Sequence, residues 1–536
     1  MGIMQALIGA AAVAAGFKVK NSLRLRASAS AYLTRTYGAP TNTNIWVAAF
    51  WMKKAVTAVT IQQNILVTGA DLYGIRVPPA GADTLQLLSG GVAVFTTTAV
   101  FRDPTAHYHV VVSCNGTNIT ITVNGVLVGT YAGTIPGVNA ASTYRIGARQ
   151  DTASGPFDGY FSDFYFVDGQ VKVATDFGEF NASGVWVPKA YTGTYGNNGF
   201  HLKFEDASAA TAAAIGKDTS GNANNWTPTN ISVTAGVDFD QMTDTPTNNF
   251  ATYASNQIAS PAATALTKAN LKNVSASAAF LNAVGTVAIT SGMPKLYWEV
   301  TQQTTGSGSS ATAAGVIKAS AVSAGRMDNN VNVWGAYLGT ALTYIAAGVQ
   351  TNSNAGAVAA GEVIGFAYDP TTRNLWVSRG GVWLGPTATA NGDPAGGTNP
   401  SLTLPAGFDW LLVTHAYANG LDLNHGQRPF TYAAPTGFKT LCTDNIGIAA
   451  PTASGSFTGN GAADGPVVWT GGVPTTLSID GSANLIGTAN VDKLAGGFKL
   501  RSATNNAVGT RNWVATYASP STNSSFGQPQ PAQINP

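Results

Sequence analysis

At 536 residues the chain has room for about three or four domains. Charged residues make up only 10% and hydrophobic ones 45%, too apolar a balance for a disordered chain. The 61 Gly, with runs of Thr, Val, Tyr and Trp bounded by Gly, Asn and Pro, speak against a helical protein. The net charge of +2 is unevenly placed, because seven Lys and Arg but no Asp or Glu precede Asp71. So low a charge density suits a surface covered by partners or packed in an assembly.

The first 17 residues, MGIMQALIGAAAVAAGF, are too few for a membrane span of roughly 20 apolar residues and lack the basic start of a signal peptide. They are expected to be a retained apolar arm, a short helix or an extended plug, tied down by a partner. In KVKNSLRLR a strand would place Lys18, Lys20, Arg24 and Arg26 on one face and Val19, Leu23 and Leu25 on the other. Such a basic face is either solvated or turned to an acidic partner, protein or nucleic acid.

Strand signals follow at roughly ten-residue spacing: IWVAAFWMKK, QNILVTG, TLQLLSGGVAVF, HYHVVVSCNG, YRIGARQ and GYFSDFYFVDGQ. That spacing is expected of an antiparallel sandwich or jelly roll. Residues 115–129, NGTNITITVNGVLVG, and 369–385, DPTTRNLWVSRGGVWLG, each read as a hairpin turning at Asn124-Gly125 and Gly380-Gly381. Cys114 and Cys442 lie far apart and match no metal spacing.

SLRLRASASAYLTRT, AAFWMKK, HYHVVVSCNGTNITITVNG and YRIGARQDTASGPFDGYFSDFYFVDGQ resemble the laminin-G/concanavalin-like lectin module of bacteriophage virion proteins. DTPTNNF, KLYWEVT, GEVIGFAYDPTTRNLWVSRGGVWLG, GDPAGGTNP and NHGQRPFTYAAPTGFKTL resemble a SPRY domain, itself a concanavalin-like sandwich, in the form found in phage structural proteins. The resemblance implies an all-β chain of tandem concanavalin-like antiparallel β-sandwiches. Its parts would be an apolar arm (1–21), a lectin-like sandwich (22–206), a linker (207–243), a SPRY-like sandwich (244–448), a small C-terminal β module (449–519) and an extended Pro-, Ser- and Asn-rich tail (520–536).

Concanavalin-like frames also host glucanases, which need two carboxyl groups about 5–5.5 Å apart (retaining) or roughly 6.5–9.5 Å apart (inverting). On one strand this means Asp or Glu at i and i+2 or i+4. Asp158, Asp163 and Asp168 are five apart, so simple alternation turns neighbours to opposite faces. Asp176 and Glu179 sit in a joining segment, and Glu205 and Asp206 are adjacent. Catalytic residues are therefore not expected. His107 and His109 form an H-x-H without a third ligand nearby and read as a packed or strand-edge pair, so no metal and no cofactor is assigned.

What remains are aromatic residues in polar stretches: Trp334, Tyr337, Trp383, Trp226 and Tyr195. An aromatic face stacks on the C–H patches of a sugar while Asn and Asp bond its hydroxyls. Trp298 and Trp376, inside strand patterns, read as core. Binding is assigned to Trp334, Tyr337 and Trp383. The resemblance implies a virion fibre, spike or decoration protein that attaches to host surface or glycan and does not act as an enzyme. A purely structural cement and a glycan depolymerase are the alternatives. The arm would dock to other virion proteins, and a homotrimer is expected by analogy with phage fibres. Neither a membrane span nor nucleic acid is expected as a partner.

Overall fold

The computed structural model describes residues 16–446 except 58–59, 70–71, 150–153, 182–183, 256–263, 276–280, 306–311 and 323–325, together with six strands between 452 and 516. Most of the expected apolar arm and all of the expected tail lie outside the described residues. The chain is nearly all β, 43% strand and 4% helix, in antiparallel sheets. No helix among the described residues is long and apolar enough to cross a membrane.

The first sandwich packs two sheets face to face. One runs in the order Val126–Tyr131, Ile119–Val123, Tyr108–Asn115, Ile45–Lys54, Gly159–Asp168, Ser22–Leu25, Gln241–Met242. The other runs Thr227–Thr229, Tyr32–Thr36, Thr143–Ile146, Gln63–Thr68, Tyr73–Val77, Gln86–Ser89, Val92–Thr96. The strand IWVAAFWMKK explains why alternation is hard to see in this sequence. Trp46, Ala48, Phe50 and Met52 enter the core between the sheets. Val47, Ala49 and Trp51 enter a second cluster on the outer face, with Ala174, Phe177 and Trp186 laid over them. Both faces are dry, so both are apolar.

Gly159–Asp168 carries a bulge between Ser162 and Tyr165, with Asp163 at φ +49. The extra residue resets the phase, which is how Phe161 and Phe164, three apart, both reach the core. The alternation expected for Asp158, Asp163 and Asp168 is therefore broken.

The second sandwich repeats the plan. One sheet runs Thr264–Thr267, Lys272–Ser275, Gly420–Asn424, Leu296–Gln302, Val363–Asp369, Asn374–Arg379, Val382–Leu384. The other runs Leu281–Ile289, Trp410–Ala416, Ala313–Lys318, Val333–Leu338, Leu342–Ala346, Val349–Asn354. Both similar hairpins lie at sheet edges, and both turns have positive φ at each central residue (Asn124 +49, Gly125 +79; Gly380 +57, Gly381 +82). That is the geometry Asn-Gly and Gly-Gly supply without strain. A Cβ at Gly125 would also lie 2.4 Å from Trp186 Cε3, so the covering tryptophan seats on the turn.

Residues 16–446 form one compact unit, because the two sandwiches share a buried polar seam. The segment expected as a linker is part of the fabric: Thr227–Thr229 and Gln241–Met242 extend the two sheets of the first sandwich. Strands of two or three residues have no readable period, which hid them. Of the basic face of the N-terminal strand, Arg24 and Arg26 meet this same segment and turn away from solvent. Arg24 Nε lies 3.0 Å and Arg26 Nε 2.9 Å from Asp240 Oδ1, and Lys53 Nζ lies 2.8 Å from Asp244 Oδ2. Lys54 pairs with Asp83 at 2.7 Å. Lys18 and Lys20 stay exposed.

Across the seam Tyr160 Oη donates to Ala269 O (2.8 Å), and Asp158 Oδ1 accepts from Ala27 N (3.0 Å) and Ala269 N (3.3 Å). Lys268 bridges Asp238 and Asp422 at 3.1 and 2.9 Å. The C-terminal unit, taken by itself, contains two three-stranded antiparallel sheets. One joins Thr452–Gly459, Gly509–Thr516 and Thr476–Ile479, the other Val467–Trp469, Gly497–Leu500 and Val491–Leu494.

Candidate functional site

In each sandwich a chain segment wraps the outer face of one sheet and leaves aromatic rings half-exposed. On the first, residues after Gly159–Asp168 place Tyr191 on buried Phe177, stacked with centroids 4.9 Å apart. Tyr195 meets Tyr191 edge-on at 5.2 Å. Lys172 Nζ stands 5.7 Å from the Tyr191 centroid, with no carboxylate within 4 Å among the described residues. Tyr191 Oη and Gln170 Nε2 both donate to Thr194 O, at 2.8 and 2.7 Å, which fixes the rim of the face. Burial, with Asp176 nearby, pushes the Tyr191 hydroxyl up to about 12. Burial, then Asp163, raises Tyr195 also. Both phenols are neutral donors and acceptors at neutral pH.

On the second sandwich, Trp383 of the edge strand Val382–Leu384 lies edge-on to buried Tyr297 at 6.1 Å. Phe430 packs on Tyr297 at 4.7 Å. Buried Glu299 positions the covering segment by accepting from Thr431 N (2.9 Å), Tyr432 N (2.8 Å) and Tyr297 Oη (2.9 Å). Tyr432 rests on the hairpin turn, where a Cβ at Gly381 would lie 2.5 Å from its Cδ1. Trp383, Phe430 and Tyr432 thus form a half-exposed aromatic face on a rigid floor.

The strand carboxylates do structural work. Asp168 accepts from Thr41 N (2.7 Å), Asn42 N (3.1 Å), Asn139 Nδ2 (2.7 Å) and Asn198 N (3.1 Å), gathering three loops. Asp163 Oδ1 lies 2.5 Å from His201 Nε2. His107 and His109 go separate ways. His107 Nε2 pairs with Asp244 Oδ1 at 3.1 Å, while His109 stacks on Trp51 and accepts from Trp186 Nε1 at 2.9 Å. Among the described residues no group of three His, Cys, Asp or Glu is placed to hold a metal.

Residues 27–174 match the sequence profile of the concanavalin A-like lectin/glucanases superfamily. The first sandwich has the concanavalin-like lectin fold. Similar solved structures include a Bacteroides ovatus protein described as carbohydrate-binding (15% identity, 40% of this chain and 58% of that one, TM-score 0.31). Others are the SPRY domain of human HERC1 (11%, 33% and 99%, 0.24) and a heptameric pentraxin from Limulus polyphemus (15%, 28% and 77%, 0.23). The chain spans 58% of the length of the Bacteroides ovatus protein. No curated protein sequence matches the chain.

The three residues assigned to binding do not come together. Trp383 lies in the aromatic face of the second sandwich, at the edge of one sheet. Trp334 and Tyr337 belong to Val333–Leu338 in the other sheet, and as i and i+3 on a strand they point to opposite faces. Trp334 is only 7% exposed, edge-on to Trp410 at 5.1 Å and capped by Lys318, whose Nζ is 5.5 Å from its ring. Tyr337 is half-buried against the cluster of Val333, Ile345 and Val413. Of the other aromatic candidates, Trp226 is buried in the core of the lectin-fold sandwich, and Tyr195 is in its outer face. Sequence reasoning missed Tyr191, Phe430 and Tyr432. Their only signal is that aromatic residues recur in Pro- and Gly-bounded stretches, VPKAYTGTYG and RPFTYAAPTG, without strand alternation.

Proposed function

We propose that the chain is a structural protein of a bacteriophage particle, a fibre, spike or decoration component, that holds host-surface glycans on its sandwiches without cleaving them. The observation that carries glycan binding is the pair of half-exposed aromatic faces, Tyr191/Tyr195 on a concanavalin-like lectin fold and Trp383/Phe430/Tyr432 on its neighbour. Each is built on a fixed floor with amide and hydroxyl groups at its rim, the arrangement that stacks a sugar ring and bonds its hydroxyls. The virion role rests on the long ordered run of segments that resemble phage virion proteins.

Trp383→Ala and Tyr191→Ala are expected to weaken binding to host-surface glycan by about 1–3 kcal/mol each, measured by calorimetry on folded variants. Incubation of the wild-type protein with the same glycan should release no reducing ends. Unchanged affinity in both variants would remove the aromatic faces from the function, and release of reducing ends would make the protein a depolymerase.

A cement role has its own support. Val92, Val126, Leu127 and Val349 are exposed on edge strands, where apolar side chains favour contact with neighbouring subunits. Attachment is proposed to lie in the arm. Deleting residues 2–17 is expected to leave the sandwiches folded, since their cores begin after Ser22, and to abolish incorporation into particles or trimerisation. Normal incorporation of the truncated chain, scored beside its mass in solution, would move the anchor elsewhere.

A further inference from the structure

Lys53 stands in the seam between a carboxamide and a carboxylate. Its Nζ is 2.8 Å from Asn249 Oδ1 and 2.8 Å from Asp244 Oδ2, and a third bond runs to Phe250 O at 3.1 Å. Lys53 is 1% exposed and Asp244 fully buried, and the Tyr160 ring lies 5.8 Å from the amine. Asp244 Oδ1 is occupied by His107 Nε2 (3.1 Å) and Phe250 N (3.1 Å), so Oδ2 faces the lysine. Asn249 is gripped at both ends. Its backbone N donates to Thr443 Oγ1 (2.9 Å) and its Nδ2 to Thr105 O (2.7 Å), which turns its carbonyl to Lys53.

We propose that this triad is the site of an intramolecular isopeptide bond between Lys53 Nζ and Asn249 Cγ, formed with Asp244 as proton carrier. Asp244 Oδ2 takes a proton from the ammonium, and the freed lone pair adds to Cγ, one bond from the oxygen that Nζ already touches. The added nitrogen releases its second proton, the Cγ–Nδ2 bond breaks, and Asp244 returns the first proton to the departing nitrogen. One C–N bond forms and one breaks. The amine nitrogen becomes an amide, and ammonia leaves and is protonated in water. Nothing is oxidised or reduced, and no co-reactant is needed.

Two features favour amide exchange here over an inert ion pair. Amine and carboxamide are held in contact, where effective molarities of about 10⁵–10⁸ M are reached. The surroundings are dry, which favours attack by a lysine nitrogen relieved of its proton by a neighbouring base. The adjacent Lys54–Asp83 pair lacks the set, since among the described residues Lys54 Nζ bonds the carboxylate alone and touches no carboxamide oxygen. The new bond would tie Ile45–Lys54 of the first sandwich to the segment that opens the second.

The test is the intact mass of the purified full chain, followed to constancy, together with a protease digest. The mass should fall short of the sequence by one ammonia, and the digest should contain a branched peptide joining Lys53 to Asn249. Asn249→Ala and Lys53→Met should each restore the full mass of their own sequence. Asp244→Ala should do the same under conditions where the chain still folds. A wild-type mass equal to the sequence, with Lys53 in a linear peptide, overturns the proposal. So does a deficit that survives Asn249→Ala, and a deficit that survives Asp244→Ala removes Asp244 from the chemistry.

Discussion

Asp240→Ala is expected to lower stability by about 3–5 kcal/mol. Arg24 and Asp240 are both 0% exposed. One carboxylate serves Arg24 Nε (3.0 Å), Arg26 Nε (2.9 Å), Arg26 Nη2 (3.0 Å) and Ser232 N (2.8 Å). Its removal strands a guanidinium with no water to replace it, and that desolvation cost is what sets the size of the effect. Glu179→Ala provides the contrast. Its pair with Lys189 spans 4.0 Å with both side chains about half-exposed, so the loss should stay below about 1 kcal/mol. Urea midpoints of the two variants measure the difference. An Asp240→Ala chain within about 1 kcal/mol of wild type would mean that the seam admits water.

Acid should open the same region, and His425→Leu should blunt the response. Burial pushes His425 down to about 3, and Arg428 and Lys53 beside it act in the same direction. Burial also pushes His109 down to about 3 and lowers His107, against the pull of Asp244. The His425 and His109 rings are neutral in the folded chain, whereas the unfolded chain protonates them near 6.5. Their contribution is therefore whole above pH 6.5 and is lost progressively as pH falls toward 3.

Asp158 opposes them. Burial raises its carboxyl to about 6, so between about 6 and 3.8 the folded chain holds the extra proton and gains stability as pH falls. His425 and His109, each lowered further than Asp158 is raised, leave a net loss in acid. Neither ring nitrogen of His425 has a partner among the described residues, so Leu there leaves no broken side-chain hydrogen bond behind. Relative to its own value at pH 7.5, the variant should retain about 2 kcal/mol more than wild type at pH 5. Parallel stability–pH curves from denaturant titration would mean that His425 titrates normally in the fold.

What was legible in the sequence was local. Asn124-Gly125 and Gly380-Gly381 declare their turns because only a few residues accept positive φ, and Leu23 and Leu25 alternate into the core as the period requires. What was hidden depends on residues far away. Trp334 follows an Asn-rich stretch and reads as a loop aromatic, yet Val333 opens a strand, and Trp410 and Lys318 close over it. The basic face reads as an invitation to a partner because Asp240 lies more than 200 residues along the chain. The bulge at Asp163 shifts every later side chain by one position without a mark in composition. Tyr191 and Tyr432 sit in covering segments that follow no period, so only the tertiary structure reveals the faces they make.

The placement of Ser22–Leu25 between Gly159–Asp168 and Gln241–Met242 also orders events on the ribosome. Ser22 Oγ bonds Asp244 O, 222 residues further on. At about 5–20 residues per second, roughly ten to forty seconds of translation separate the two. For that interval Arg24 of this strand and Arg26 just after it lack their counter-ion, which has not been made. The lectin-fold sandwich can close only as its neighbour begins to appear, so a nascent chain halted before residue 240 should remain protease-sensitive at its N-terminal edge.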